Sequence, residues 1–312
     1  MLRGLVFQDP GPEESKALVA GPDGPPMSSE AEPWGTLGPP SPDAPPGRLV
    51  RQTRTGVAAF RHAFYESGAV VPAHRHGCAS LVYGVGGPCH ETRPPGGGGG
   101  PGIVKRRLTF HPPGYEHSVR FGGPCHVVAI EFDVAAFPVG AGKCWPSRST
   151  VLPATLYNHV WSAMLRVADD RPAEAVAEAL TGLIGGAAGF VARRKPGWLL
   201  DVIEHIHGNW QNIQSVNALA SDFGVSPQHL CRAFKALLGV TIGQYSLLLR
   251  LDYARGLLWG TGHSISQIAA ETGFSDQSHL TRTLARHSER TPSRMRWKSA
   301  VAKQGIAVSD IR

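Results

Sequence analysis

The sequence predicts an α+β fold, in which a small antiparallel β-barrel or sandwich precedes an all-α domain. Between Leu49 and Phe132, short runs of β-branched and aromatic residues alternate with glycine and proline turns, as in small antiparallel β domains. From Pro153 onward, apolar residues recur at helical spacing. Near the C-terminus, one helical unit of sequence occurs twice. The strands are therefore expected in the first half of the chain and the helices in the second.

Five runs are predicted as strands: Val57–Tyr65, Ser80–Val85, Ile103–Phe110, His117–Phe121 and Cys125–Phe132. The five-glycine run that starts at Gly96 is predicted to be a flexible hairpin loop, because no Gly-Lys-Ser/Thr follows it as in a phosphate-binding loop. Residues 1–47 hold 11 prolines and 7 glycines. Such a composition cannot bury enough surface to offset its ordering entropy, so this segment is expected to be a disordered leader.

Two helices are predicted between Pro153 and Arg194, where leucine, valine and isoleucine form an apolar stripe. They are expected to pack on the barrel or against a second protomer. The sequence Arg-Arg-Lys-Pro-Gly at 193–197 then predicts a linker, because proline and glycine stop helix propagation.

The repeated unit starts at Ser215 and again at Ser264. Each copy reads as a short amphipathic helix, a turn at Gly224 or Gly273, and a second helix that carries an arginine. Glycine suits a turn that needs positive φ, and the serine after it, Ser226 or Ser275, can cap the second helix. This pattern predicts two helix-turn-helix units, the motif that places a helix in the DNA major groove.

A continuous helix predicted over Ile242–Trp259 joins the two units. It would be roughly 25 Å long, which is comparable to one turn of DNA. Leucine and phenylalanine should face inward on each second helix. The polar residues left outward as candidates for base contact are Gln228, Cys231, Arg232 and Lys235 in the first unit, and Gln277, Ser278, Thr281 and Arg282 in the second. Arg286, Arg290, Arg294 and Arg296 are predicted to hold phosphates.

The charge distribution agrees with this interpretation. The chain has 312 residues and a net charge of +7. From Lys195 to the C-terminus, 13 basic residues stand against 8 acidic ones, whereas the first 194 residues hold 18 against 16. The positive excess therefore lies mainly in the half that carries the repeat, as expected if that half meets phosphates, although a solvated basic surface would look the same.

Residues 198–297 resemble the DNA-binding domain of the AraC/XylS family of transcriptional regulators. The matching residues are Ile265, Ile268, Ala269, Gly273, Phe274, the run Ser275–Leu280, Arg282, Thr291 and Pro292, with Arg250 and Ala254 in the connecting helix. The resemblance implies that Gln228, Cys231, Arg232, Gln277, Ser278, Thr281 and Arg282 approach bases.

The N-terminal half is similar to cupin barrels, which form the effector-binding domain of many AraC-type regulators. Pro72-x-His74-x-His76 and Phe110-His111-Pro112-Pro113-Gly114-x-x-His117 correspond to the two cupin motifs. The glutamate that completes the metal site of many cupins is missing after His76, and His111 or Glu91 would replace it only if the barrel turns them inward. Three roles stay open for His74, His76, His111 and His117: a divalent metal site, a metal-free effector pocket, or hydrogen bonds that order a loop.

Other classes of protein fit less well. An enzyme of the cupin type would need the complete ligand set. A DNA alkyl-repair regulator is suggested by Pro88-Cys89-His90, but Glu91 stands where such sites have arginine.

The five cysteines are odd in number and lack a Cys-x-x-Cys pair, so neither a disulfide framework nor a zinc cage is indicated. No apolar run is expected to span a membrane, and no signal peptide is predicted, so a cytoplasmic location is expected.

The sequence therefore predicts a ligand-responsive regulator that is not an enzyme. Its expected segments are a leader (1–47), a cupin-like barrel (48–150), a helical dimerisation segment with linker (151–194), a double helix-turn-helix domain (195–300) and a tail (301–312). The expected partners are double-stranded DNA, a small-molecule effector, RNA polymerase and a second copy of the chain. The alternative is a constitutive DNA-binding protein whose barrel serves only dimerisation.

Overall fold

The computed structural model describes residues 47–92, 102–104, 107–212, 215–288 and 290–296. Residues 1–46 of the predicted leader, the five-glycine run and the predicted tail lie outside these residues. Ten strands occur in the described ranges: β1 (Arg48–Arg54), β2 (Ala59–Tyr65), β3 (Val70–Arg75), β4 (Ala79–Gly86), β5 (Cys89–Thr92), β6 (Gly102–Val104), β7 (Leu108–His111), β8 (Glu116–Phe121), β9 (Cys125–Phe132) and β10 (Thr150–Leu152).

Nine α-helices follow in the same ranges: α1 (Tyr157–Ala168), α2 (Ala173–Ala192), α3 (Gly197–Gly208), α4 (Val216–Asp222), α5 (Pro227–Leu238), α6 (Ile242–Gly260), α7 (Ile265–Glu271), α8 (Gln277–His287) and α9 (Pro292–Met295). The α+β class predicted from the sequence is confirmed.

The strands form two antiparallel sheets. One has the order β1-β2-β9-β4-β7-β10 and the other has the order β3-β8-β5-β6. Among the described strands no ladder joins one sheet to the other, so of the two predicted alternatives, barrel and sandwich, the domain is a two-sheet sandwich and not a closed barrel. The run Ile103–Phe110, predicted as one strand, is divided between β6 and β7, which belong to different sheets.

Sequence patterns missed β1, β3, β5 and β10. β1 is an edge strand of sequence RLVRQTR that is at most half-buried, so it lacks a continuous apolar face. β3 contains Pro72, a residue that disfavours a strand assignment. Short or edge strands carry a weak apolar signal, because only one of their sides is paired or covered.

One hydrophobic core runs through the six-stranded sheet and the helices. Leu81, Phe110 and Ile130 of the sheet are fully buried in the same cluster as Trp161 of α1 and Tyr245 of α6. A smaller cluster of Ala69, Cys89, Phe121 and Cys125 forms a second buried group.

The helices α1 and α2 use their predicted apolar stripes within the chain. Leu180, Leu183 and Ile184 of α2 are completely buried in the shared core, and α2 packs on α1. By length and composition α2 is also apolar enough to cross a membrane, the one such helix in the described part of the chain. The expectation that no apolar run reaches that length is therefore wrong.

The two predicted helix-turn-helix units are α4 with α5 and α7 with α8. Gly224 and Gly273 occupy the turns with φ of 63° and 74°, the left-handed region that favours glycine. Each unit packs on α6, whose 19 residues correspond to roughly 28 Å. The linker lies where proline and glycine predicted it, since α2 ends at Ala192 and Pro196 caps α3.

Candidate DNA interface and sensor site

The second helix of the first unit, α5, is held by its cap and by its buried face. Ser226 Oγ accepts a hydrogen bond from the backbone N–H of His229 at 3.2 Å, and Pro227 occupies the first helical turn. Leu230 and Phe234 are completely buried, as predicted. The opposite face carries the four predicted contact residues, all of them exposed: Gln228, Cys231, Arg232 and Lys235.

The second helix of the second unit, α8, begins one residue later than predicted. Asp276, not Ser275, is its N-cap, and its carboxylate accepts the backbone N–H of His279 at 2.7 Å. That hydrogen bond lowers the pKa of Asp276. A charged carboxylate also interacts favourably with the positive end of the helix dipole, which explains why it displaces the neutral serine. Ser275 Oγ instead contacts the Asp276 carboxylate at 3.2 Å.

The outward face of α8 has the predicted composition. Leu280 and Leu284 are completely buried. Gln277, Ser278, Arg282 and Arg286 are exposed, and Thr281 is half-buried. The structure thus leaves three side chains with strong donors, Gln277, Arg282 and Arg286, available on this surface.

Two of the arginines predicted to hold phosphates have partners inside the protein. Arg290 pairs with the carboxylate of Asp169, with Nη1 and Oδ1 3.1 Å apart. Arg296 donates to the backbone carbonyl of His263. Asp169 is the C-cap residue of α1, and no local pattern in the sequence predicts that it approaches Arg290.

Three of the predicted histidines, His74, His76 and His117, come together where β3 pairs with β8 in the four-stranded sheet. Nε2 of His74 and Nε2 of His76 lie 3.1 Å apart, and the His117 ring centroid is 4.4 Å from that of His74. The nearest ligand atoms of these three residues lie within 4.8 Å of one another. Burial lowers the pKa of His74, which favours the neutral imidazole that metals bind.

Two glutamates, Glu91 and Glu131, lie beside these histidines. We define the histidine cluster as His74, His76, His117, His111 and Glu91. Glu91 Oε2 lies 3.6 Å from Nε2 of the buried His111, so the structure does turn both side chains inward. Glu91, His111 and His117 form a second group whose ligand atoms lie within 4.8 Å of one another. Sequence reasoning missed Glu131, a buried acid in the apolar strand β9, whose carboxylate lies 3.2 Å from Nδ1 of His76.

The donor set of the histidine cluster fits a divalent cation. Imidazole and carboxylate ligands suit zinc, iron, manganese and nickel alike. A carboxylate on the second nitrogen of a ligating histidine, as Glu131 has on His76, fixes the ring orientation and the tautomer.

Comparisons with known proteins place this geometry in a family. The family described as "Helix-turn-helix domain" matches residues 219–298, which include both capped second helices and both turn glycines. The HTH-type transcriptional regulator GlxA of Rhizobium meliloti is 34% identical over 134 residues, or 43% of this chain and 41% of that protein. The chain therefore spans about two fifths of the length of that curated relative. The chain belongs to the AraC/XylS family.

Two solved structures resemble separate parts of this AraC-type chain. An AraC-type DNA-binding domain-containing transcriptional regulator from Chromobacterium violaceum is 36% identical, covers 33% of this chain and 92% of its own, and has a TM-score of 0.31. A cupin domain from Bordetella pertussis is 21% identical, covers 28% of this chain and 93% of its own, and has a TM-score of 0.25.

A buried polar network joins the six-stranded sheet to α6. Asp252 on α6 is 1% exposed, and its carboxylate accepts hydrogen bonds from the hydroxyl of Tyr83 on β4 and from Nε1 of Trp161 at 2.8 Å. One turn further, Arg255 donates to Oδ1 of Asn158 at 2.6 Å. Buried polar groups are costly unless they are paired, so these contacts fix how the sheet meets the helix.

A second set of polar contacts joins α3 and α6 to the N-terminal half of the chain. The Tyr245 hydroxyl contacts Nε2 of His207 at 2.7 Å and accepts the backbone N–H of Ala154 at 3.0 Å. Arg107, just before β7, pairs with Glu204 of α3. Burial, together with the nearby charge of Arg107, lowers the pKa of His207 to about 3, so this ring stays neutral at physiological pH.

Proposed function

We propose that the chain is a sequence-specific DNA-binding transcriptional regulator whose cupin-like sandwich binds a small effector. The observation that carries the proposal is the pair of capped second helices, α5 and α8, each with a buried apolar back and an exposed polar face. Arginine can bind a guanine edge through two hydrogen bonds, and glutamine can do the same with adenine. Arg232 and Arg282 are therefore the proposed base-reading residues.

Selection from a random double-stranded DNA library with the full chain tests this function. A defined motif with two separated half-sites is expected, because each unit would enter its own major groove. The double variant Arg232→Ala/Arg282→Ala should lose the motif. Arg120→Ala is the matched control, since it removes an exposed arginine from β8 and should select the wild-type motif. Absence of any enriched motif with the wild-type chain would contradict the proposal.

The histidine cluster is the proposed effector site. It draws side chains from β5, β8 and the end of β3 in the four-stranded sheet and from β7 in the six-stranded sheet, and it supplies imidazole and carboxylate groups to one small volume. An effector changes DNA affinity only if it binds the two arrangements of sandwich and helices differently. The contacts of Asp252 and Arg290 with the rest of the chain support the existence of at least one defined arrangement.

A metal at the same cluster is testable by itself. Elemental analysis of the purified chain should give close to one divalent ion per chain, and His117→Ala should lower that ratio. His229→Ala on α5 is the matched control and should leave the ratio unchanged, because His229 is exposed on the opposite domain. A metal-free protein that still responds to a small carboxylic acid would favour an effector pocket without metal.

The remaining partners follow from this function. Activation would require a contact with RNA polymerase, and a homodimer would need a surface other than the apolar faces of α1 and α2, which the core already buries. A constitutive regulator is the second candidate. In that case no small molecule would change the affinity for the selected DNA site or the thermal stability of the chain.

A further inference from the structure

The pentapeptide Gly-Gly-Pro-Cys-His occurs twice in the chain, at 86–90 and at 122–126. The first copy links β4 to β5 and the second links β8 to β9. Since β4 and β9 belong to the six-stranded sheet and β5 and β8 to the four-stranded one, both copies are corners where the chain passes between sheets. The proposed regulator function uses neither copy.

The two corners are bound to each other through their backbones. Gly87 N–H donates to the Pro124 carbonyl at 2.7 Å, and Gly122 N–H donates to the Pro88 carbonyl at 2.8 Å. A Cβ atom at Gly87 would lie 2.6 Å from the backbone of Gly123, closer than real Cβ atoms approach. Glycine is therefore required at this crossing, and the corners hold a fixed separation.

This crossing brings two cysteines from different sheets together. Cys89 follows the first corner and Cys125 the second, and both side chains belong to one small buried cluster. Both sulfurs lie beside Gly84, at 4.0 and 3.6 Å from where its Cβ would be, so the missing side chain leaves room for them. Cys89 is 7% exposed and Cys125 is 1% exposed.

We propose that Cys89 and Cys125 form a reversible dithiol–disulfide site that a hydroperoxide closes. Two features of the structure support it: the position of both sulfurs beside Gly84 and the fixed crossing of their two corners. Hydrogen peroxide is small and neutral, so it is the member of this class that can reach Cys89 through its remaining exposure.

The chemistry balances with the peroxide as the oxidant. One sulfur, as thiolate, attacks the O–O bond and becomes a sulfenic acid, and the hydroxide that leaves takes up a proton to give water. The second sulfur then attacks the sulfenic sulfur and expels the other oxygen as water. The two thiols lose two protons and two electrons, and the peroxide takes up both and is reduced to two molecules of water.

The test uses the full chain with Cys78, Cys144 and Cys231 replaced by serine. The protein is treated with hydrogen peroxide, quenched with catalase, denatured and alkylated, and its mass is measured. The expected product has lost two hydrogen atoms and takes up no alkyl group, and dithiothreitol restores two alkylation sites. Adding Cys89→Ser or Cys125→Ser to this background is the control, and neither variant should form the closed product.

The wild-type chain provides a second, independent measurement. Chymotrypsin cleaves after Tyr83 and so separates Cys78 from Cys89. A linked peptide pair containing Cys89 and Cys125 is expected after oxidation and should disappear on reduction. The proposal is overturned if both thiols are still alkylated after treatment, if they advance to sulfinic acid, or if other cysteines form the links. The two sulfurs would then be small apolar side chains of the sandwich.

Discussion

The hydroxyl of Tyr83, on β4 of the six-stranded sheet, donates a hydrogen bond to the buried carboxylate of Asp252 on α6. Arg255, one turn further along the same face of α6, donates through Nη2 to the backbone carbonyl of His287 at 2.9 Å. His287 is the last residue of α8. Two neighbouring side chains of one helix therefore contact the six-stranded sheet and the end of α8, so a change in the sheet has a direct physical route to α8.

Replacing Tyr83 with phenylalanine is expected to destabilise the chain. The variant removes a donor from a buried carboxylate, which costs about 1–3 kcal/mol in the free energy of unfolding. Urea unfolding measures the change. Tyr65→Phe is the matched control, because the Tyr65 ring stacks on Phe121 with centroids 4.3 Å apart and keeps that stacking without its hydroxyl. Equal losses in the two variants would show that the Tyr83–Asp252 contact contributes nothing specific.

The pair Arg290 and Asp169 is expected to compete with DNA. Asp169→Asn removes the partner of Arg290 and should strengthen binding to the selected site, by no more than about fivefold, since a partly exposed ion pair is worth about 0–1 kcal/mol. The matched control is Glu178→Gln, which removes the same charge from the pair with Arg166 on α1. Equal strengthening in both variants would indicate a general charge effect, and titration with labelled DNA distinguishes the two results.

Arg290→Ala is expected to weaken binding to the selected site and to random DNA by the same factor. A phosphate contact carries no sequence information, and its loss should reduce the slope of log K against log salt concentration by about one. Binding titrations at several salt concentrations measure the slope. An unchanged slope would mean that Arg290 serves only its contact with Asp169.

Arg282→Ala is expected to relax the base preference at one position of the site. The loss should be about 1–3 kcal/mol on the selected sequence and much smaller on random DNA, because a two-bond contact to a base edge is lost. Competition titrations with single-base variants of the site locate the position. An equal loss on specific and random DNA would contradict the assignment of Arg282 as a base reader.

Stability is expected to fall as the pH is lowered from 7 to 5. Burial, with repulsion from His126, lowers the pKa of His62 to about 3, and burial, with the charge of Arg48, lowers the pKa of His126 to about 4. Both rings titrate near 6.5 in the unfolded chain, which therefore binds more protons than the native state below that pH. The loss per histidine steepens as the pH falls below the unfolded pKa, toward a limit of about 1.4 kcal/mol of stability per pH unit.

Urea unfolding at several pH values between 7.5 and 5 measures this dependence. The double variant His62→Leu/His126→Leu should have a shallower slope, because it lacks the rings that are 3.0 Å apart between Nε2 and Nδ1 in the native state. A slope equal to that of the wild type would assign the pH dependence to other groups.

Local sequence was sufficient for the helix-turn-helix units and insufficient for the sandwich. Gly224, Gly273 and Ser226 act on neighbours within a few residues, so their positions alone predicted the turns and one of the caps. The cap of α8 was misassigned by one residue, since Ser275 and Asp276 can both cap and the local pattern does not rank them. The local pattern left barrel and sandwich open as alternatives, because strand pairing depends on residues far apart in the chain.

The sequence by itself determined the family, the α+β class and the residues exposed on α5 and α8, because helical periodicity and capping are short-range. Only the tertiary structure decided that Glu91 and Glu131 lie beside the predicted histidines, and that Arg290 meets Asp169. It also decided that Cys89 meets Cys125. Those groups lie from about twenty to more than a hundred residues apart along the chain, and only the packing of sheets and helices brings them within contact distance.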